Sequence, residues 1–168
     1  RPNTTKPGGA RTTVLAISPA YATDRTVWLA GQSGNTTVLY RSTTLPESWS
    51  QIFSFAPGMV GVAQLEVSPN YTVDNTLFAI YDNKMFKSTN GGVNWSVIYT
   101  PAAGRNFRRF VISPAYASTP AVFFENVEMV SSVEQHYLLR RLDGGATWTQ
   151  LGPQGYNRAV GYNGVRAA

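Results

Sequence analysis

Ser88-Thr89-Asn90-Gly91-Gly92-Val93-Asn94-Trp95 decides the fold, because the stretch recurs. Arg141-Leu142-Asp143-Gly144-Gly145-Ala146-Thr147-Trp148 has the same layout, and Ser42-Thr43-Thr44-Leu45-Pro46-Glu47-Ser48-Trp49 is a degenerate copy. Each is an apolar run, a tight turn and a Trp that opens another short apolar run. Asn90 and Asp143 present side-chain oxygens to backbone amides two or more residues on. Gly92 and Gly145 supply the positive φ such a turn needs. Trp95 and Trp148 then lay a large apolar face over the turn.

A second block sets the spacing. Val14-Leu15-Ala16-Ile17 leads into Ser18-Pro19-Ala20-Tyr21-Ala22-Thr23-Asp24 and then Val27-Trp28-Leu29. It returns as Leu65-Glu66-Val67, Ser68-Pro69-Asn70-Tyr71-Thr72-Val73-Asp74 and Leu77-Phe78-Ala79. A third copy is Phe110-Val111-Ile112, Ser113-Pro114-Ala115-Tyr116 and Val122-Phe123-Phe124. From the Ser to the next apolar run is nine positions each time, 18 to 27, 68 to 77 and 113 to 122. An invariant spacing implies an invariant turn. Pro fixes φ and ends the strand, and Asp24 or Asp74 ties the loop to its own backbone. The third copy has Thr119-Pro120 there and must close another way.

A more variable hairpin separates each Ser-Pro turn from its Trp turn: Gly31 to Thr37, Tyr81 to Lys84, and Asn126 to His136. After each Trp comes a short alternating strand. Every unit therefore holds four short antiparallel strands over about 45 to 55 residues, the period and strand count of propeller blades. The expected fold is all-β, with three four-stranded antiparallel blades over about 13–55, 60–100 and 107–153. An extended tail is expected over 1–12 and a C-terminal tail over 154–168.

Composition agrees. The chain has 168 residues, 15 Gly, 10 Pro, 12% aromatic and 14% charged residues, a profile suited to a turn-rich all-β protein. Cysteine is absent, which excludes disulfides and thiolate metal sites. No acidic cluster has metal-loop spacing, so neither metal nor cofactor is expected. No run of about 18 apolar residues predicts a membrane-spanning helix. The net charge of +5 is scattered apart from Arg105/Arg108/Arg109 and Arg140/Arg141. No nucleic-acid reader motif accompanies it, so no nucleic-acid partner is expected.

The Trp turns resemble the Asp-box, or BNR, repeat (S-x-D-x-G-x-T-W) of sialidases, sortilin-type receptors and bacterial extracellular propellers. The Ser-Pro-x-Tyr-x-x-Asp-x-Thr block resembles a companion motif of the bacterial members. Thr44 and Asn90 replace the Asp, Pro46 the Gly and Arg141 the Ser. The resemblance implies that these turns are structural, the first of them folding differently. A sialidase centre uses an arginine cluster, a Tyr nucleophile with a Glu partner and an Asp acid/base. Arg105, Arg108 and Arg109 with Tyr137 and Glu134 supply those residue types, but no Arg-Ile-Pro-type motif is present. His136, the single histidine, stands alone for Ser-His-Asp chemistry. The chain is expected to be non-catalytic.

Ser-Pro and Trp turns are expected at one end of each blade, with length variation, and hence contacts, at the other. The candidate contact residues are Arg105, Phe107, Arg108, Arg109, His136 and Tyr156. First strands follow the Trp by 16 or 15 positions, Trp49 to Leu65 and Trp95 to Phe110. Adding 15 to 17 to Trp148 reaches residues 163 to 165, where Val165 stands, so Val160, Tyr162 and Val165 are expected to form the spare strand of an incomplete fourth blade, completed by self-association. Sequons at Asn3, Asn35, Asn70 and Asn94 fit a secreted, glycosylated protein, with Asn94, inside the Trp turn, the least suited. The expected role is an extracellular or cell-surface structural subunit that assembles into a filament or surface layer. The alternatives are a lectin-like dimeric propeller that binds glycans or protein, and a fragment of a sialidase-like hydrolase.

Overall fold

The structure, a computed structural model, describes residues 11–44, 48–56, 62–142 and 147–157. Asn3, most of the expected N-terminal tail, Asp143, Gly145 and the Val160, Tyr162 and Val165 strand lie outside the described residues. The chain divides into two compact units at Tyr99/Thr100. This falls between the second and third sequence repeats.

Unit one holds two sheets. The first contains β1 (Arg11–Ile17), β2 (Val27–Ser33), β3 (Thr36–Ser42) and β4 (Ser50–Ser54), with the short helix α1 (Tyr21–Asp24) between β1 and β2. The second contains β5 (Val62–Val67), β6 (Leu77–Tyr81), β7 (Lys84–Ser88) and β8 (Ser96–Tyr99), with α2 (Tyr71–Asp74) after β5. Unit two holds the third sheet: β9 (Arg105–Ile112), β10 (Ala121–Val130), β11 (Val133–Leu142) and β12 (Thr149–Asn157). Each sheet is an antiparallel meander with its strands in chain order, and none closes into a barrel. β12 runs past the end expected near residue 153.

The nine-residue Ser-Pro spacing maps onto one hydrogen-bonded loop. The Ser18 hydroxyl donates to Asp24 Oδ2 at 2.5 Å and accepts from the Ala20 amide at 3.1 Å, while Asp24 Oδ1 accepts the Thr26 amide at 2.9 Å. Ser68, Asn70, Asp74 and Thr76 repeat the set at 2.7, 3.1 and 2.8 Å. Ser and Thr are buried in both copies, so the carboxylate satisfies donors that burial would otherwise strand. Each helix closes on a residue in the left-handed region, Arg25 (φ 53°) and Asn75 (φ 48°). The third loop lacks the Asp; the Ser118 hydroxyl and the Thr119 amide both donate to the Ala115 carbonyl, at 3.2 and 2.7 Å.

The Trp turn of the second sheet is held by its side chains. Ser88 Oγ accepts the Gly92 amide at 3.0 Å, Asn90 Oδ1 accepts the Asn94 amide at 2.9 Å, and the Trp95 indole donates to the Gly92 carbonyl at 2.9 Å. Gly91 and Gly92 carry φ of 71° and 93°. The Gly91 amide donates to the Asn75 carbonyl at 2.9 Å, which seats the Trp turn on its own Ser-Pro loop. In the first sheet Ser42 Oγ accepts the Thr44 amide at 3.3 Å, and Leu45 to Glu47 lie outside the described residues.

Face-to-face packing of the two sheets forms the core of unit one. Ala16, Trp28, Ala30 and Leu39 of the first sheet cluster with Leu65, Tyr71, Leu77, Ala79 and Tyr81 of the second, and Phe55 closes one side. The Tyr71 ring meets the Trp28 indole edge-on at 4.9 Å. The buried Trp28 indole donates to the Gly91 carbonyl at 3.1 Å. The Arg41 guanidinium, opposite Trp28 in the β2–β3 register, hydrogen-bonds the Tyr71 hydroxyl.

Gly91→Ala is expected to destabilise unit one more than Gly34→Ala. Both glycines have positive φ, 71° and 60°, a shared penalty of about 1–2 kcal/mol. Only at Gly91 does the new methyl meet Arg41 Nη1 at 2.9 Å and the Tyr71 hydroxyl at 3.0 Å; Gly34 has nothing within 4 Å. Equal losses in urea unfolding would show that the close approach carries no weight.

Burial also pushes the Tyr71 phenol above its ordinary value of 10.0, against the pull of Arg41. Above about pH 10 the unfolded chain ionises first and binds fewer protons, so unit one loses stability as pH rises toward the folded value. Tyr71→Phe should flatten this alkaline decline. An unchanged decline in urea midpoints would assign it to other groups.

Candidate functional site

The candidate contact residues converge on the third sheet, but in strands instead of loops. Arg105, Phe107, Arg108 and Arg109 belong to β9 and His136 to β11. The hairpin expected over Asn126 to His136 is almost all ladder, closed at Ser131 and Ser132 with φ of 50° and 64°. Two residues of positive φ match the right-handed twist of the flanking strands, so β10 and β11 pair to their ends. Tyr156 lies in β12 opposite His136, and its side chain is outside the described residues.

Register sorts these residues onto two faces. Glu125, Val127 and Met129 share a face with Glu134, His136 and Leu138, and Arg109 stands opposite Glu125. A register shift between Glu125 and Asn126 sets Arg108 out of the ladder. On this face Glu125 is buried and bridges two side chains: Arg109 Nε lies 3.4 Å from Oε2, and His136 Nδ1 lies 2.5 Å from Oε1. Glu134 pairs with Arg108 and stands 3.6 Å from His136 Nε2. That nitrogen is buried without a hydrogen-bond partner among the described residues.

On the opposite face Arg105 Nε bonds Glu128 Oε2 at 3.0 Å, and its guanidinium lies 3.8 Å from the centre of the Tyr137 ring. Phe107 packs on Phe124 at 5.0 Å, and Phe124 meets Trp148 edge-on at 4.5 Å. Each arginine of the Arg105/Arg108/Arg109 group thus faces its own glutamate. Glu134 and Tyr137, three apart on a regular strand, project to opposite faces. A cleft of about 240 Å³ beside Phe107, Arg108, Val127 and Met129 is smaller than the about 300–1,000 Å³ of typical ligand pockets. No group of three or more metal-ligating side chains occurs among the described residues.

A second surface is apolar, and the sequence reading did not single it out. Leu15 and Ile17 of β1 are 56% and 53% exposed. They pair with Leu29 and Val27 across the β1–β2 ladder, on the face away from the Trp28 core. In the second sheet the positions matching Leu15, Val27 and Leu29 are Leu65, Leu77 and Ala79, all buried in the inter-sheet core. The signal was available in the Ser-Pro register, which aligns the three copies position by position. Of the sequons, Asn35 and Asn94 are exposed and Asn70 is half-buried.

Fold and surfaces together define an all-β protein of three four-stranded antiparallel sheets. No protein-family model matches the chain, and neither does any curated protein. Among solved structures, the crystal structure of Saccharomyces cerevisiae Sqt1 is similar, with a TM-score of 0.53 at 11% identity over 89% of this chain. The chain spans 36% of that protein's length. At this identity the likeness concerns the fold alone.

Glu125→Ala is expected to cost unit two about 2–4 kcal/mol in urea unfolding, because it leaves His136 and Arg109 facing a buried gap. Glu134→Ala, whose partner Arg108 is 45% exposed at the side chain, should cost less than about 1 kcal/mol. A reversed order would place the organising carboxylate at Glu134.

Proposed function

We propose that this chain is a non-catalytic, extracellular or cell-surface structural protein, a propeller-type subunit that associates with further copies of itself. The observation that carries the reading is the first sheet's outer face. It holds Leu15 and Ile17 more than half exposed, on positions whose counterparts in the second sheet are Leu65, buried in the core, and Val67, packed against it. Full burial of two such side chains is worth about 1.5–3 kcal/mol each, enough to contribute to an interface after the costs of association. Propeller-type stacking is supported by the meander order of every sheet and by the face-to-face core of the first two.

The non-catalytic reading is supported by arginines that are already neutralised and by the separation of Glu134 from Tyr137. Phe107, committed to Phe124, argues against a sugar-stacking platform at that position. The exposed Asn35 fits an extracellular setting.

Ile17→Lys is expected to weaken association by about tenfold to a hundredfold, since it removes one apolar anchor and inserts a charge into the contact. Sedimentation velocity across a concentration series reads the change. A wild-type chain that stays monomeric at every concentration would overturn the reading, as would an Ile17→Lys variant that assembles normally.

A further inference from the structure

The core of unit one is a template for an interface, and one face of the third sheet and one face of the first carry its two halves. In the template, the first sheet contributes an aromatic and a cation paired across adjacent strands, Trp28 opposite Arg41, with Leu39 beside them opposite Ala30. The second sheet contributes Tyr71 from its Ser-Pro helix, backed by Leu65, Leu77 and Ala79. Tyr71 enters between the indole, at 4.9 Å, and the guanidinium, which hydrogen-bonds its hydroxyl.

Counting from the Ser of each Ser-Pro turn, the Trp28/Arg41 pair recurs as Phe78 opposite Lys87 and as Phe123 opposite Arg140. Leu39 recurs as Met85 and as Leu138. The third sheet thus repeats the first half of the template with Phe123, Leu138 and Arg140 on one face. Phe123 and Arg140 are partly exposed, and the Arg140 side chain has no hydrogen bond, ion pair or ring contact among the described residues. The second half recurs on the first sheet. Tyr21 occupies the place of Tyr71, in a loop with the same hydrogen bonds and nearly the same cap angles, φ −101° against −103°. Tyr71 is buried, Tyr21 half-exposed.

We propose that the first sheet of one copy docks on the third sheet of a second copy, head to tail. Tyr21 enters between Phe123 and Arg140, and Leu15, Ile17 and Leu29 cover Leu138 and Phe123. The proposal rests on self-association and names the partner face. Two features beyond the repeat support it. The contact continues an interface already formed inside the chain, and it gives the Arg140 guanidinium, unpaired among the described residues, a phenol hydroxyl to bond as Arg41 bonds Tyr71. Bulk is also exchanged between the sides. The position of Ala30 holds Glu125 on the third sheet, while the position of Tyr81 holds Gly31 on the first. The two contacting surfaces differ, so the contact is heterologous and builds either a ring or an open filament.

The chain has no cysteine, which makes site-directed cross-linking clean. Tyr21→Cys and Arg140→Cys variants, mixed and treated with a short bis-maleimide, should yield a cross-linked dimer at least tenfold more abundant than either variant gives alone. Arg140→Glu should raise the concentration for half-assembly by about tenfold or more, and Arg140→Lys should restore it in part. If the protein assembles and Ile17→Lys disperses it, yet Tyr21→Cys cross-links to itself, the first sheets meet each other. Self-association then stands and the head-to-tail contact falls. If the chain never assembles, both fall.

Discussion

The bond from the Trp28 indole to the Gly91 carbonyl is the constraint on which unit one depends. It joins residues 63 positions apart in a fully buried setting, and it ties the first sheet to the Trp turn of the second. Its geometry brings the backbone at Gly91 close to Trp28, Arg41 and Tyr71, and a methyl there would meet Arg41 Nη1 at 2.9 Å and the Tyr71 hydroxyl at 3.0 Å. Positive φ at Gly91 and Gly92 turns the carbonyl toward the indole, and the Gly91 amide is anchored to the Asn75 carbonyl. Thus the Ser-Pro loop, the Trp turn and the neighbouring sheet are fixed by one another. A change at any of the three is felt at the other two.

Much of this was legible in the sequence, because turns with special backbone angles need special residues. The Ser-to-strand interval maps onto the Asp24 and Asp74 hydrogen bonds, and Ser88, Asn90 and Gly92 map onto the bonds of the Trp turn. Less legible were turns where ordinary residues take left-handed angles. Arg25, Ser131 and Ser132 all do so, and nothing in a single sequence marks a serine pair as the tip of a tight hairpin. The contact loops were therefore placed where the structure has ladders. The pairing of each arginine with its own glutamate was hidden for another reason. Arg109 and Glu125 are 16 residues apart, and only the antiparallel register brings them opposite each other.

The third repeat shows how far the pattern drifts while keeping its strand order. Its Ser-Pro loop has lost the Asp and closes through Ser118 and Thr119 to the Ala115 carbonyl. Where the first sheet has Val14 and Ala30, the third has Arg109 and Glu125, so an apolar patch has become an ion pair with His136 drawn in. Burying such a cluster carries a desolvation cost that apolar residues avoid. On the proposed self-association, a face built from Glu125, Arg109 and His136 would discriminate against partners that leave those groups unsatisfied.

That asymmetry bears on the assembly proposed above. An interface with a fully apolar face on both sides would be sticky toward any exposed sheet, and toward its own copy in either orientation. Here the outer face of the first sheet is apolar, with Leu15 and Ile17 exposed on its edge strand β1. The third carries the aromatic, the leucine and the cation in the register that Trp28, Leu39 and Arg41 already use toward Tyr71. Two first sheets face to face would oppose Tyr21 to Tyr21, each with Arg25 already over its ring, so like charges would meet. Two third sheets would oppose Arg140 to Arg140, a like-charge contact. Only the mixed pairing gives each phenol its guanidinium, so direction follows from the same register that folds the chain.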